Sequence, residues 1–136
     1  MYFEEFVLGS KTPIEPVTIE KDDMVAFAKK YDNLPLHTDE EYAKTTIFGQ
    51  LIAPGVMSFM SVWAKYLEND LAGSELLAGK STKIEWHKPV FANDVLTSTC
   101  TVSKLEKREM LKTAFLKSPL KYLIRMVSLC LLMPLK

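Results

Sequence analysis

Between Val56 and Leu67 the chain carries a segment too apolar for a surface helix and too short to span a bilayer, and this segment limits what the rest can build. Val56, Phe59, Met60, Trp63 and Leu67 fall at i, i+3, i+4, i+7 and i+11, one helical face. Met57, Val62, Ala64 and Tyr66 widen that stripe, so the helix is expected to be the core helix, buried on most sides. Downstream, Ser81 to Trp86 alternates weakly and suits a strand, which Lys88-Pro89 breaks. Asp94 to Lys104 is rich in Thr, Val and Ser and suits a second strand. One buried helix with several strands implies an α+β arrangement, a sheet wrapped around the helix, with Trp63 and Trp86 in the core.

The chemistry lies just before that helix. From Tyr31 to Gly55 the chain combines an acid, Asp32, with a histidine, His37, and two turns stiffened by Pro35 and Pro54. Thr38-Asp39-Glu40-Glu41 has the form of a capping box and is expected to open a short helix with a solvated face. Gly55 then falls at the start of the apolar helix, where backbone N–H groups are unpaired and developing negative charge is stabilised. One loop thus offers a carboxylate, an imidazole and an anion site. From the residues alone, Asp32 reads first as a turn aspartate capping an amide, and His37 as a satisfied surface histidine. His87, at a strand end, reads as a surface residue.

The remaining composition narrows the alternatives. A chain of 136 residues is expected to form a single domain, residues 1–136, with a core of its own. Lys plus Arg and Asp plus Glu number 17 each, so no overall field points to nucleic acid or to an anionic membrane. Cys100 and Cys130 make neither a metal-ligand spacing nor a disulfide framework and suit free thiols in a reducing compartment. The acidic start, MYFEEFVLGS, lacks the pattern of a signal peptide, and no apolar run reaches the roughly 18–20 residues of a membrane span. A cytoplasmic protein is expected. Residues 1–17 read as an opening strand and loop, with Phe3, Phe6 and Val7 as core candidates and Pro13 and Pro16 as punctuation. Thr18 to Lys30 reads as a helix with Met24, Val25, Phe27 and Ala28 inward, acidic at its start and basic at its end. It should stop near Tyr31-Asp32, because Pro35 drives Leu34 out of the helical region.

Asp32, Pro35, His37, Asp39, Ala43, Phe48-Gly49, Ile52-Ala53 and Gly55 follow one another at the spacing of a known motif: Asp, any residue, Asn-Pro, any residue, His, then Asp, Ala, Phe-Gly and Ile-Ala-His-Gly. Trp86-His87-Lys88-Pro89-Val90-Phe91, followed by Asp94, extends the likeness. On these residues the stretch 15–108 resembles the MaoC-like hydratase/dehydratase family of the hot-dog superfamily. Tyr31, Leu34 and Pro54 depart from it, standing where hydratases usually carry Gly, Asn and His; Leu34 removes a polar group that would brace the loop.

The likeness stops after Glu109, where the family continues with two alternating strands. Here the chain reads MLKTAFLKSPLKYLIRMVSLCLLMPLK, with Ser118-Pro119 inside it and no period-2 pattern. A permissible back-translation of residues 113–136, shifted by one register, does give two alternating strands around an Asn-Gly turn. The expectation is a frameshift that replaces the last strands from about residue 110. It would leave a neighbouring strand edge unpaired, with the apolar tail covering part of the gap as a helix.

The resemblance implies a fold, a site and a reaction. The fold is a hot-dog, an antiparallel sheet around the Val56–Leu67 helix, paired as a homodimer with the site near the interface. The reaction is hydration of a trans-2-enoyl thioester to the (R)-3-hydroxyacyl thioester, or the reverse dehydration, on CoA or an acyl carrier protein. Asp32 and His37 are implied as the catalytic dyad and the Gly55 amide as the oxyanion donor, with Phe48, Gly49, Ile52, Ala53 and Val56 along the substrate. Neither a metal nor another cofactor is implied. Two other outcomes are a hot-dog thioesterase and a catalytically degenerate acyl-binding subunit.

Overall fold

The computed structural model describes residues 6–69, 82–103 and, as backbone, 128–132. Strand β1 (Lys11–Thr18) is followed by helices α1 (Lys21–Tyr31), α2 (Pro35–Thr38), α3 (Glu40–Thr45) and α4 (Gly55–Glu68), then strands β2 (Val95–Thr101) and β3 (Ser128–Leu132). The three strands form one sheet in the order β1-β2-β3, antiparallel throughout. β1 pairs with β2 from Lys11↔Thr101 to Thr18↔Val95, with a register slip between Ile14 and Val17. Pro13 and Pro16, expected to punctuate a loop, lie within this strand instead. Pro16 falls inside the slip, where a missing N–H removes no ladder bond.

β2 buries alternate residues, Leu96, Ser98 and Cys100, on the face against which α4 packs. Met24 of α1, Ala43 of α3 and Met57 and Val62 of α4 meet Ile19 and Leu96 in one apolar cluster. α4 therefore is the helix on which the sheet packs, as expected, but with a different face inward. Met57, Ser58, Val62 and Tyr66 are buried, whereas Val56, Met60 and Leu67 of the predicted stripe are close to half exposed. The segment is apolar around most of its circumference, so periodicity could not choose the inward side. Trp63 is half-buried, stacked between Phe59 and Tyr66 at 6.3 and 5.0 Å, and Trp86, also expected in the core, is 58% exposed.

α1 begins after Thr18 because that residue is the last rung of β1, and it stops where expected, with the Asp32 amide bonded to the Ala28 carbonyl. α2 was not foreseen; Pro35 opens it with φ already set for a helix. The cap of α3 is Asp39, whose carboxylate accepts from the Tyr42 amide at 3.0 Å. Thr38, which the capping box would have used, instead donates its hydroxyl to the Leu34 carbonyl and closes α2.

Several strand expectations need correction. Residues 82–86 form no strand, and Val7 is exposed rather than in the core. Phe3 and Ser81 lie outside the described residues. So does most of the tail, but its segment Ser128–Leu132 is a strand that pairs with β2, Thr97↔Leu132 through Thr101↔Ser128. The second edge of β2 is therefore covered, contrary to the expectation of an unpaired edge. A ladder is made of main-chain groups and does not require alternation in the side chains.

Candidate active site

The turn between α1 and α3 brings the acid and the imidazole together. Asp32 is the C-cap of α1; its carbonyl accepts from the Leu34 amide at 2.7 Å, and the Leu34 carbonyl accepts from the His37 amide at 2.9 Å. Pro35 at the start of α2 stiffens this double turn, which aims the His37 ring inward, 6% exposed. His37 Nδ1 lies 2.7 Å from the Ile52 carbonyl oxygen. A carbonyl can only accept, so Nδ1 carries the proton and donates. Nε2 is left facing Asp32 Oδ2 at 3.5 Å, with the Asp32 side chain 41% exposed. The ring is thereby held in direction, with Nδ1 kept as the donor and Nε2 turned to the carboxylate.

Ile52 is a joint as well as an anchor. Its amide donates toward the Leu36 carbonyl at 3.4 Å, and it makes an isolated antiparallel bridge with Phe91. The neighbouring Ala53 amide donates to the Val90 carbonyl at 2.7 Å. These bonds hold the loop before α4 against the segment before β2 and open a cavity of about 440 Å³ between them.

Asp32, His37, Phe48, Ile52, Ala53, Gly55 and Val56, all singled out in the sequence, line that one cavity. Gly49 does not. It is exposed, with φ at +70° and its amide bonded to the Thr46 carbonyl, so it serves the turn after α3. Ser58, Trp86, His87, Lys88, Pro89 and Val90 complete the lining without having been expected there. Ser58 had a signal, lying one helical turn beyond Gly55. Trp86 to Lys88 had none, because only the tertiary fold brings their segment over the loop. His87 is exposed, as expected, yet it borders the cavity.

At the start of α4, the first bond of the helix runs from the Ser58 amide to the Pro54 carbonyl, and no side chain caps this end. The amides of Gly55, Val56 and Met57 precede that bond and are free to meet an anion. The Ser58 hydroxyl, in a residue 3% exposed, has no hydrogen-bond partner among the described residues. Gly55 itself is closely covered: a Cβ there would overlap Trp86 Nε1 and Cε2. Behind the site, burial pushes the Tyr66 phenol up to about 12 and raises the Cys100 thiol. Among the described residues no helix is long and apolar enough to cross a membrane.

Known proteins share the family and the fold of this chain. The chain is 34% identical over 106 residues to an (R)-specific enoyl-CoA hydratase of Rhodospirillum rubrum, covering 76% of this chain and 71% of that protein. Its fold is similar to that of a MaoC-like dehydratase from Rhodospirillum rubrum, with a TM-score of 0.74 at 25% identity over 80% of this chain and 75% of the other. It is also similar to a monoamine oxidase regulatory protein from Archaeoglobus fulgius, with a TM-score of 0.70 at 32% identity over 82% and 75% of the two chains. The fold is the α+β hot-dog of these hydratases. Residues 7–118 match the MaoC like domain, and the chain belongs to the MaoC-like hydratase/dehydratase family.

Proposed function

We propose that this protein adds water to trans-2-enoyl thioesters to give (R)-3-hydroxyacyl thioesters, or runs the reverse dehydration, with Asp32 and His37 as its dyad. The observation that carries this reading is the pair itself: a carboxylate oxygen 3.5 Å from an imidazole nitrogen whose other nitrogen is held by Ile52, in a cavity that ends on the first turn of α4. A water between the two groups would be oriented by both. Asp32 takes one proton as the water oxygen bonds to Cβ, and the electron pair of the double bond moves toward the thioester oxygen, facing the Gly55 amide. His37, starting protonated, then delivers its Nε2 proton to Cα. The proton on Asp32 passes across to Nε2 and restores the starting state, with one water added. Donors pre-set at the developing oxyanion contribute roughly 3–4 kcal/mol in comparable sites.

The substrate is a CoA or acyl-carrier-protein thioester, a class supported by the relatives. We also infer a homodimer in the cytoplasm, of which the residues 1–136 form a single domain.

Loss of the enoyl-thioester absorbance of crotonyl-CoA tests the reaction. The wild-type chain should consume it, and Asp32→Asn and His37→Gln should each lose at least about 100-fold in kcat. A folded wild-type chain inert on short and long enoyl-CoAs would sink the hydratase reading. A second reading, an acyl-thioester-binding subunit without turnover, is favoured by the Archaeoglobus regulatory protein and by Leu34, which puts an exposed apolar side chain in the loop. Tight acyl-CoA binding without consumption would support it.

A further inference from the structure

Gly55 is covered by an indole, although its backbone is not in the left-handed region that would demand glycine. Trp86 lays the face of its pyrrole ring over Gly55: Nε1 is the atom nearest the missing Cβ, ahead of Cε2 and Cδ1, so the indole N–H runs alongside the helix start. A Cβ lies roughly 2.5 Å from the nitrogen of its own residue, so Trp86 Nε1 is within about 5 Å of the Gly55 nitrogen. Two N–H donors at that separation can both reach one oxygen at about 2.9 Å from each. Among the described residues no protein acceptor takes the indole N–H, which is exposed and open to a ligand oxygen. The neighbouring Ser58 hydroxyl, deeply buried on the same cavity wall, is likewise unpartnered.

We propose that Trp86 supplies the second donor of the oxyanion site, its indole N–H and the Gly55 amide converging on the thioester oxygen. This rests on the acyl-thioester reading above and adds a catalytic residue to it. The N–H is neutral and does not titrate, so it would strengthen its hydrogen bond as negative charge grows on the oxygen without exchanging a proton. The indole is 58% exposed, so a substrate oxygen can reach its N–H from the open side of the cavity.

The test uses Trp86→Phe, which keeps an aromatic wall and removes the donor. With crotonyl-CoA, kcat should fall about 10- to 100-fold while KM stays within about threefold. Unchanged kcat in a variant of wild-type melting temperature would overturn the proposal and leave the hydratase reading standing. The second measurement does not depend on turnover. Butanoyl-CoA labelled with carbon-13 at the thioester carbon is bound, and its carbonyl stretch is read by isotope-edited infrared difference. The stretch should move to lower frequency on binding to the wild-type chain and move less on Trp86→Phe. An equal stretch in the two bound complexes would overturn the proposal whether or not the chain hydrates anything. Failure of the hydratase reading alone would show as an inert wild-type chain that still shifts the carbonyl through Trp86.

Discussion

A methyl group at position 55 would land on Trp86 Nε1 and Cε2, and only the side that is free to move can yield. The indole is more than half exposed, whereas the helix start is held by Pro54 and the Ser58 bond. Gly55→Ala should therefore displace the indole rather than the backbone. Overpacking in a closed core costs about 1–3 kcal/mol, and here the cost should fall at or below the lower end. Activity should nevertheless drop by an amount close to that of Trp86→Phe. Melting temperature and kcat measured on the same preparation check this; a large loss of stability with unchanged kcat would mark the contact as structural only. At this scale the sequence was legible where chemistry is local. Asp32, Pro35 and His37 lie within one double turn, so their spacing already implied their meeting. Trp86 was not legible, because a chain read in order gives no sign that a tryptophan far downstream settles on a glycine.

Elements were legible in proportion to how much of their stability is local. α1 has acids first, bases last and a proline beyond, and it stopped where those signals said. α3 was expected, but its cap moved by one residue, because the Thr38 hydroxyl found the Leu34 carbonyl first. Asp39→Ala tests that assignment: the loss of an N-cap costs about 1 kcal/mol, and the melting temperature should fall by about 4 °C. Thr38→Ala should cost less, and the reverse order would restore the original capping box. α4 was recognised as a helix and as the element under the sheet, yet its inward face was misread. Apolar residues on nearly every side give a pattern with no preferred direction, and the sheet chose Met57, Val62 and Tyr66. The alternation at residues 82–86 was too weak to carry a strand; among the described residues the next segment meets the loop before α4 through the isolated Ile52↔Phe91 bridge and the Ala53–Val90 bond, not through a ladder.

At the scale of the whole molecule, the tail completes the sheet. β3 supplies a third strand from a segment with no strand pattern of its own, SLCLL, and thereby shields the edge of β2. Side-chain alternation would add a specified register to that pairing, which main-chain bonds alone leave weakly specified. A chain whose residues 113–136 are replaced by the one-register-shifted reading should melt at a higher temperature and elute as a dimer with less aggregate. Equal melting and equal elution would defeat the frameshift expectation. The family and the fold were legible without most of the tail, since the motifs read from the sequence lie before Glu109; the match to the family itself runs on to residue 118, past the point where the likeness was expected to stop.

The single bond from His37 to Ile52 gives the site a clock. Ile52 holds the ring through its carbonyl, α2 through its amide and the segment before β2 through its bridge to Phe91. The ring cannot turn away unless that joint opens, and the joint cannot open without loosening both of its neighbours. Amide hydrogen exchange at Ile52 and Ala53 should therefore occur as one cooperative event. Its rate would measure how often the protein loses, and regains, the geometry its chemistry requires.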